Sequence, residues 1–133
     1  NLHHYTETRL PGIEEYPVTL ASAGDLGYGN YYRNGMRQGS WELQDAKGNK
    51  AKGKYVDGKK EGFWTEWYPN GQKKNEGHFI NNLIHGHFTH WTADGRKEGE
   101  GSYRFGKYDG KWKFWNANGE LLEFAYKDGV LLE

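Results

Sequence analysis

The sequence lacks several features that enzymes and ordinary globular domains use. It has no cysteine, which excludes disulfides, thiolate nucleophiles and cysteine-based zinc sites. No apolar run approaches the roughly 20 residues that a membrane-spanning helix needs. Leu, Ile, Val and Phe together number 22 of the 133 residues, which is few for an aliphatic core.

Net charge is absent as well, because 18 basic residues balance 18 acidic ones and the pI is about 7.2. Disordered chains usually combine a high net charge with few aromatic residues. This chain instead has 6 Trp, 10 Tyr and 6 Phe. We therefore expect an ordered chain with an aromatic core, and the neutral charge argues against a nucleic-acid partner.

The chain is built from an internal repeat. Gly53, Gly77 and Gly101 are evenly spaced, and the segments around them share the pattern aromatic-x-x-Gly-x-x-x-Gly-x-aromatic. Asn82 is the only departure from the first glycine, and asparagine tolerates a positive φ better than most residues. The four copies are YRNGMRQGSW at 32–41, YVDGKKEGFW at 55–64, FINNLIHGHF at 79–88 and YRFGKYDGKW at 103–112.

Each unit reads as two antiparallel strands. Pairs such as Asn70-Gly71 predict tight type I′ turns, which need a positive φ at both central residues. In the third unit we expect a strand at Lys73–Ile80, a loop at 81–86 and a second strand at 87–92. About nine or ten strands follow. The predicted fold is all-β: an elongated single-layer antiparallel β-meander of tandem 23–24-residue hairpin repeats.

The repeats divide the chain into two parts. Residues 29–133 form the array, with four full units and a C-terminal half unit. Residues 1–28 do not fit the period and form an N-terminal extension or a degenerate capping repeat, with a candidate strand at 15–20. At the other end, Phe124 occupies the place of the periodic glycine. We expect the neighbouring leucines to cap the array: Leu121, Leu122, Leu131 and Leu132.

Stacked hairpins can bury rings that a lone hairpin cannot. Gly53, Gly77 and Gly101 lie on the same face of their strands as the rings two residues later. A glycine leaves a hollow over which a ring of the adjacent strand can lie. The two predicted ring columns are Tyr55, Phe79, Tyr103 and Tyr126, and Trp41, Trp64, Phe88 and Trp112.

The repeat, together with the "WYPNG" that follows it at 67–71, resembles the bacterial variant of the MORN repeat over about 30–133. The resemblance implies an elongated β-meander without intrinsic chemistry, and an antitoxin or immunity protein that binds a toxin. MORN repeats of eukaryotes are associated with membrane apposition and scaffolding, which implies the alternative of binding anionic phospholipid. A removed leader or a truncation would explain Asn1 in place of Met, and bacterial cytoplasm or periplasm both fit.

No catalytic set is visible. Ser40 and Ser102 lie beside periodic glycines and belong to no Ser/His/Asp arrangement. The third unit carries four histidines, and two of them with a carboxylate could bind zinc or nickel. Because this spacing recurs in no other unit, we predict no metal and no cofactor. Because no nucleophile–base–orienter set is visible, we predict no enzymatic activity. The four histidines are His78, His85, His87 and His90.

A second aromatic column follows the first by three residues: Trp67, Trp91 and Trp115, with Gln44 in the first unit. On a regular strand these rings face away from Trp64 and its equivalents, whereas a bulge would bring both sets to one side. If they line the second face, they form a strip suited to binding. We predict a protein-binding site at Trp67, Trp91, Trp115, His90 and Glu66.

Overall fold

The computed structural model describes residues 5–6 and 26–132. Within these residues the chain forms one 11-stranded sheet, in which every strand pairs with the next along the chain. The strands are β1 Tyr5–Thr6, β2 Leu26–Arg33, β3 Met36–Gln44, β4 Lys50–Val56, β5 Lys59–Trp67, β6 Lys73–Ile80, β7 Leu83–Trp91, β8 Lys97–Arg104, β9 Lys107–Trp115, β10 Leu121–Lys127 and β11 Val130–Leu132.

This architecture confirms the predicted all-β, single-layer antiparallel meander. Ten consecutive strands run from Leu26 to Leu132, and β6 has the predicted bounds, Lys73–Ile80. In the described part of the chain there is no helix, and so none that is long and apolar enough to cross a membrane. The strand predicted at 15–20 lies outside the described residues.

The tight turns are at the opposite end of the hairpins from the one predicted. Both residues of Asn34-Gly35, Asp57-Gly58 and Asn81-Asn82 have a positive φ, as a two-residue type I′ turn requires. At Asn70-Gly71 only the glycine does, with φ of 89°. That connection is a longer loop closed by backbone hydrogen bonds of Tyr68, so the type I′ prediction there is wrong.

Strand β7 begins at Leu83, four residues earlier than predicted. The predicted loop at 81–86 is only the turn Asn81-Asn82, with φ values of 48° and 71°. Gly86 lies inside the strand with φ of 88°. A glycine at positive φ in a strand is typical of a β-bulge, which explains why a residue suited to loops does not end the strand here.

One face of the sheet, which we call the front face, carries the core rings; the other is the back face. The fully buried side chains are Trp41, Trp64, Phe88 and Trp112. Each packs edge-on against the aromatic ring nine residues earlier in its own repeat, as Trp64 does against Tyr55 with ring centroids 5.0 Å apart. Rings of adjacent units also contact each other; for example, the ring centroids of Phe88 and Tyr103 are 5.6 Å apart.

The glycines lie directly beneath these rings. A Cβ added at Gly101 would be 2.5 Å from Cδ2 of Trp112, well inside van der Waals contact. The same holds at Gly53 under Trp64 and at Gly77 under Phe88. The predicted packing of rings over glycines is therefore confirmed, and it needs no second layer of structure.

The two ends of the array differ in how far they keep the repeat. Gly29 lies beneath Trp41 as Gly53 lies beneath Trp64, so the described sheet extends back before residue 29, to Leu26. At the other end Phe124 pairs with Trp112 in place of a glycine. The four leucines predicted to cap the array are about half exposed, so they do not form a buried apolar cluster. Their exposed fractions are 46% for Leu121 and Leu122 and 50% for Leu131 and Leu132.

Gly53→Ala tests the packing of rings over glycines. The added methyl group would collide with Trp64, whose atoms are the three nearest to it, and we expect the free energy of unfolding to fall by about 2–3 kcal/mol. Gly99→Ala is the matched control, because the nearest ring, that of Phe114, is 3.2 Å away. Its cost should stay below about 1 kcal/mol. Equal losses in urea denaturation would contradict the packing model.

Phe105→Asn should stabilise the protein. Phe105 occupies the first position of a two-residue turn with φ of 46°, where the other turns have Asn or Asp. A left-handed conformation costs a bulky residue roughly 1–2 kcal/mol, and the ring is 53% exposed beside His85. We expect a gain of about 0.5–1 kcal/mol by chemical denaturation. Phe105→Ala removes the same ring without favouring positive φ, and an equal gain from it would refute this explanation.

Candidate functional site

A row of tryptophans and lysines crosses the back face at the end of the hairpins opposite the tight turns. Cross-strand pairing places the residues of this row side by side, from Gln44 opposite Lys50 to Trp115 opposite Leu121. We call it the Trp–Lys row. It consists of Gln44, Lys50, Trp67, Lys73, Trp91, Lys97, Trp115 and Leu121.

Strand alternation puts this row on the side opposite the core. Trp64 is buried on the front face, so Thr65 and Trp67, the first and third residues after it, lie on the back face. Thr65 Oγ1 hydrogen bonds to Oε2 of Glu76, which also holds Lys73 of the Trp–Lys row. The sequence left two alternatives open: the three tryptophans line the second face, or a bulge brings them to the core. The structure has the first, because the register shift beside Trp67 does not carry this residue into the core.

Two of the three indole rings each have a lysine ammonium over the ring face. Lys73 Nζ lies 5.7 Å from the ring centroid of Trp91, and Lys97 Nζ lies 5.9 Å from that of Trp115. Each ammonium also pairs with a glutamate three residues later, at 3.0 Å for Glu76. The three indole side chains are half-buried, so part of each remains exposed.

His90 and Glu66 do not lie beside these tryptophans. The ring of His90 is 5.0 Å from Phe88 and stacks on Trp112 at 6.4 Å, which are both core rings. Glu66 pairs with Asn75, and Asn75 pairs with His90, so both predicted residues lie on the front face. The structure brings the three tryptophans together and separates them from the other two residues. Any role of all five in binding stays a prediction.

Burial governs the chemistry of His90. Its Nε2 is 3.1 Å from the hydroxyl of Tyr103, and desolvation lowers its pKa below the ordinary value despite the opposing charges of Glu98 and Glu66. Burial also raises the pKa of Tyr103 to about 12, so its hydroxyl stays protonated. Two neutral groups therefore share this hydrogen bond inside the aromatic face at pH 7.

Lys60 is a half-buried cation of the front face. Its Nζ lies 4.8 Å from the ring centroid of Trp64 and 5.1 Å from that of Phe79. Burial lowers the pKa of Lys60, while the Glu66 carboxylate acts in the opposite direction. The ammonium thus lies between two aromatic faces, with the Glu66 carboxylate as its favourable charge.

The four histidines of the third unit lie in different surroundings. Within residues 26–132, no group of three or more His, Asp and Glu side chains is arranged to hold an ion. His85 Nδ1 accepts the backbone N–H of Phe105, and His87 Nε2 is 3.5 Å from Glu100. His85 and His87 therefore each contact a residue of the neighbouring part of the sheet.

Two features at the long-loop end of the hairpins were missed from the sequence. Tyr68 donates a hydrogen bond from its hydroxyl to the carbonyl of Trp91, and Asn70 donates one to Ala93, so the long loop of one unit is tied to the next. A cavity of about 490 Å³ also opens beside Gln44 and Trp67. The break in the aromatic pattern at Gln44 was the only sequence signal for it.

His90 makes stability depend on pH. Because its folded-state pKa lies below the ordinary value of 6.5, the unfolded chain binds the proton more readily. The contribution of neutral His90 is present above pH 6.5, is lost as the pH falls below that value, and stops changing below the folded-state pKa. Denaturation from pH 8 to 4 should show His90→Phe losing less stability than wild type. An unchanged pH profile in the variant would contradict this.

Comparison with known proteins leaves the chain without an assigned family. No protein-family model matches it, and no curated protein matches it.

Proposed function

We propose that this chain is a non-enzymatic protein-binding module that holds its partner against the Trp–Lys row. The observation that carries the proposal is the row itself. Three half-buried tryptophans recur, one in each successive unit, on the face of the sheet opposite the core.

Tryptophan is the residue type most enriched in binding hot spots, because a large ring can be desolvated with little loss of conformational freedom. Lysines hold two of these rings in place before any partner arrives. A preordered surface loses less entropy on association, which favours affinity. Glutamates beside the lysines also give the face both signs of charge, which favours a protein over a uniformly charged ligand.

Within this class we propose a bacterial antitoxin or immunity protein whose partner is a toxin or effector domain. The support is the resemblance of the repeats to the bacterial MORN variant, together with a rigid face that can block a partner sterically. The mode of inhibition in this proposal is direct binding, and it requires no catalytic group.

Trp91→Ala tests the binding face once a partner is captured, for example the product of a neighbouring gene. We expect the dissociation constant to rise about 30- to 1,000-fold, as for a hot-spot residue, with the free energy of unfolding changed by less than about 1 kcal/mol. Phe63→Ala is the matched control, because this ring is 51% exposed and lies outside the Trp–Lys row. Unfolding of the Trp91 variant, or equal losses in both variants, would exclude the proposal.

A second candidate function is binding to anionic phospholipid, and one observation favours it. The row that borders the tight turns contains five basic and five aliphatic residues and no acid. The aliphatic side chains are exposed, from 37% for Met36 to 65% for Val130. The row pairs Arg33 with Met36, Val56 with Lys59, Ile80 with Leu83, Arg104 with Lys107 and Lys127 with Val130.

Cations combined with exposed apolar side chains suit the interface of an anionic bilayer. The same Trp91→Ala protein separates the two functions. A lipid-binding protein should sediment with phosphatidylserine vesicles, be released at high salt and be indifferent to Trp91→Ala. A toxin inhibitor should remain in the supernatant with such vesicles.

A further inference from the structure

The Trp–Lys row departs from its own period at one place. In three units a tryptophan near the end of one strand pairs with the first residue of the next strand. In the first unit the corresponding pair is Gln44 and Lys50. The backbone register at Gln44 is therefore that of a tryptophan position, but the ring is absent.

The cavity lies where that ring is missing. Its volume of about 490 Å³ is within the range of small-molecule pockets, and Gln44 at its edge is exposed. The indole of Trp67 forms part of its lining. The other lining side chains that matter are Tyr28, Glu42, Lys50, Lys52 and Pro69.

The lining is suited to an aromatic guest. Trp67 offers a ring surface, and a hydrogen bond to Glu42 holds the hydroxyl of Tyr28 in the lining and raises the pKa of that hydroxyl. Lys73 and Lys97 each contact a glutamate and an indole ring. Lys50, their counterpart in the first unit, makes no side-chain hydrogen bond, ion pair or ring contact with the described residues, so its ammonium is available to a ring placed beside it.

We propose that this cavity receives an aromatic side chain of the protein partner, inserted where the repeat lacks its tryptophan. The inserted ring packs against Trp67 and lies beside Lys50, which faces Gln44 across the strand pair as Lys73 faces Trp67. This inference rests on the proposed protein-binding function and specifies an anchor residue for it. It also explains why the cavity lies at the end of the tryptophan strip.

N-acetyl-tryptophanamide is the probe for the cavity, because it carries the guest side chain without a partner. We expect saturable binding with a dissociation constant on the order of a millimolar, seen as NMR shifts of the Trp67 indole N–H and of Lys50. N-acetyl-leucinamide should bind at least tenfold more weakly. Equal binding of both probes, no binding, or shifts spread over Trp91 and Trp115 would overturn the inference.

Gln44→Trp fills the cavity with the residue that the repeat predicts. It should weaken binding of N-acetyl-tryptophanamide more than tenfold, and raise the melting temperature by a few degrees through added burial. Leu121→Trp is the matched control, since it places the same ring at the far end of the row and should leave probe binding unchanged. Undiminished probe binding in Gln44→Trp would refute the site.

The outcomes also separate this inference from the proposed function. The probe test uses the free protein, so it can fail while Trp91→Ala still abolishes partner binding. That combination would retain the proposed binding face and exclude only the anchor cavity. If the probe binds but Trp91→Ala has no effect on the partner, the binding-face proposal fails. With the partner in hand, Gln44→Trp should weaken the complex at least tenfold and Phe63→Ala, which lies outside the Trp–Lys row, should not.

Discussion

Each core ring of this sheet is buried because the strand beside it carries no side chain at that position. Trp64 lies on Gly53, and Phe88 lies on Gly77, so a single layer of strands encloses its own rings. The contact fixes the register, since a slip of one residue would move the glycine to the other face and place a Cβ under the indole. The low aliphatic content follows from the same constraint, because a flat ring fits this hollow better than a branched chain.

With the buried rings confined to one face, the other face has fewer packing demands. Residues on the back face need only match their cross-strand neighbours, and lysine over tryptophan is one such match. The rows of the back face can therefore differ in composition without weakening the rings beneath. One row is rich in tryptophan, and another combines cations with exposed aliphatic side chains, which is the basis for two separable binding functions.

The sequence was sufficient to predict the period, the strand direction and the ring-over-glycine contacts, because one structural demand recurs in every unit. It was misleading about turns. Asn70-Gly71 is a strong hairpin signal, but Asp57-Gly58 forms the two-residue turn, and Gly86 bends a strand without ending it. Gly29 was missed although it precedes Gly53 by one repeat period. The face of His90 could have been derived from strand alternation, since it follows Phe88 by two residues.

The departures from the repeat have different physical consequences on the two faces. On the front face, His90 and Glu66 occupy the row that holds Leu43 and Phe114 in other units, so ionisable groups lie among aromatic rings. The lowered pKa of His90 makes stability sensitive to pH. On the back face, Gln44 replaces a tryptophan and leaves a cavity without disturbing the core. A substitution on the front face thus alters the fold energy of its unit, whereas one on the back face alters what the sheet can bind. Because the repeat specifies the two faces independently, binding specificity can change on the back face without loss of the core on the front face.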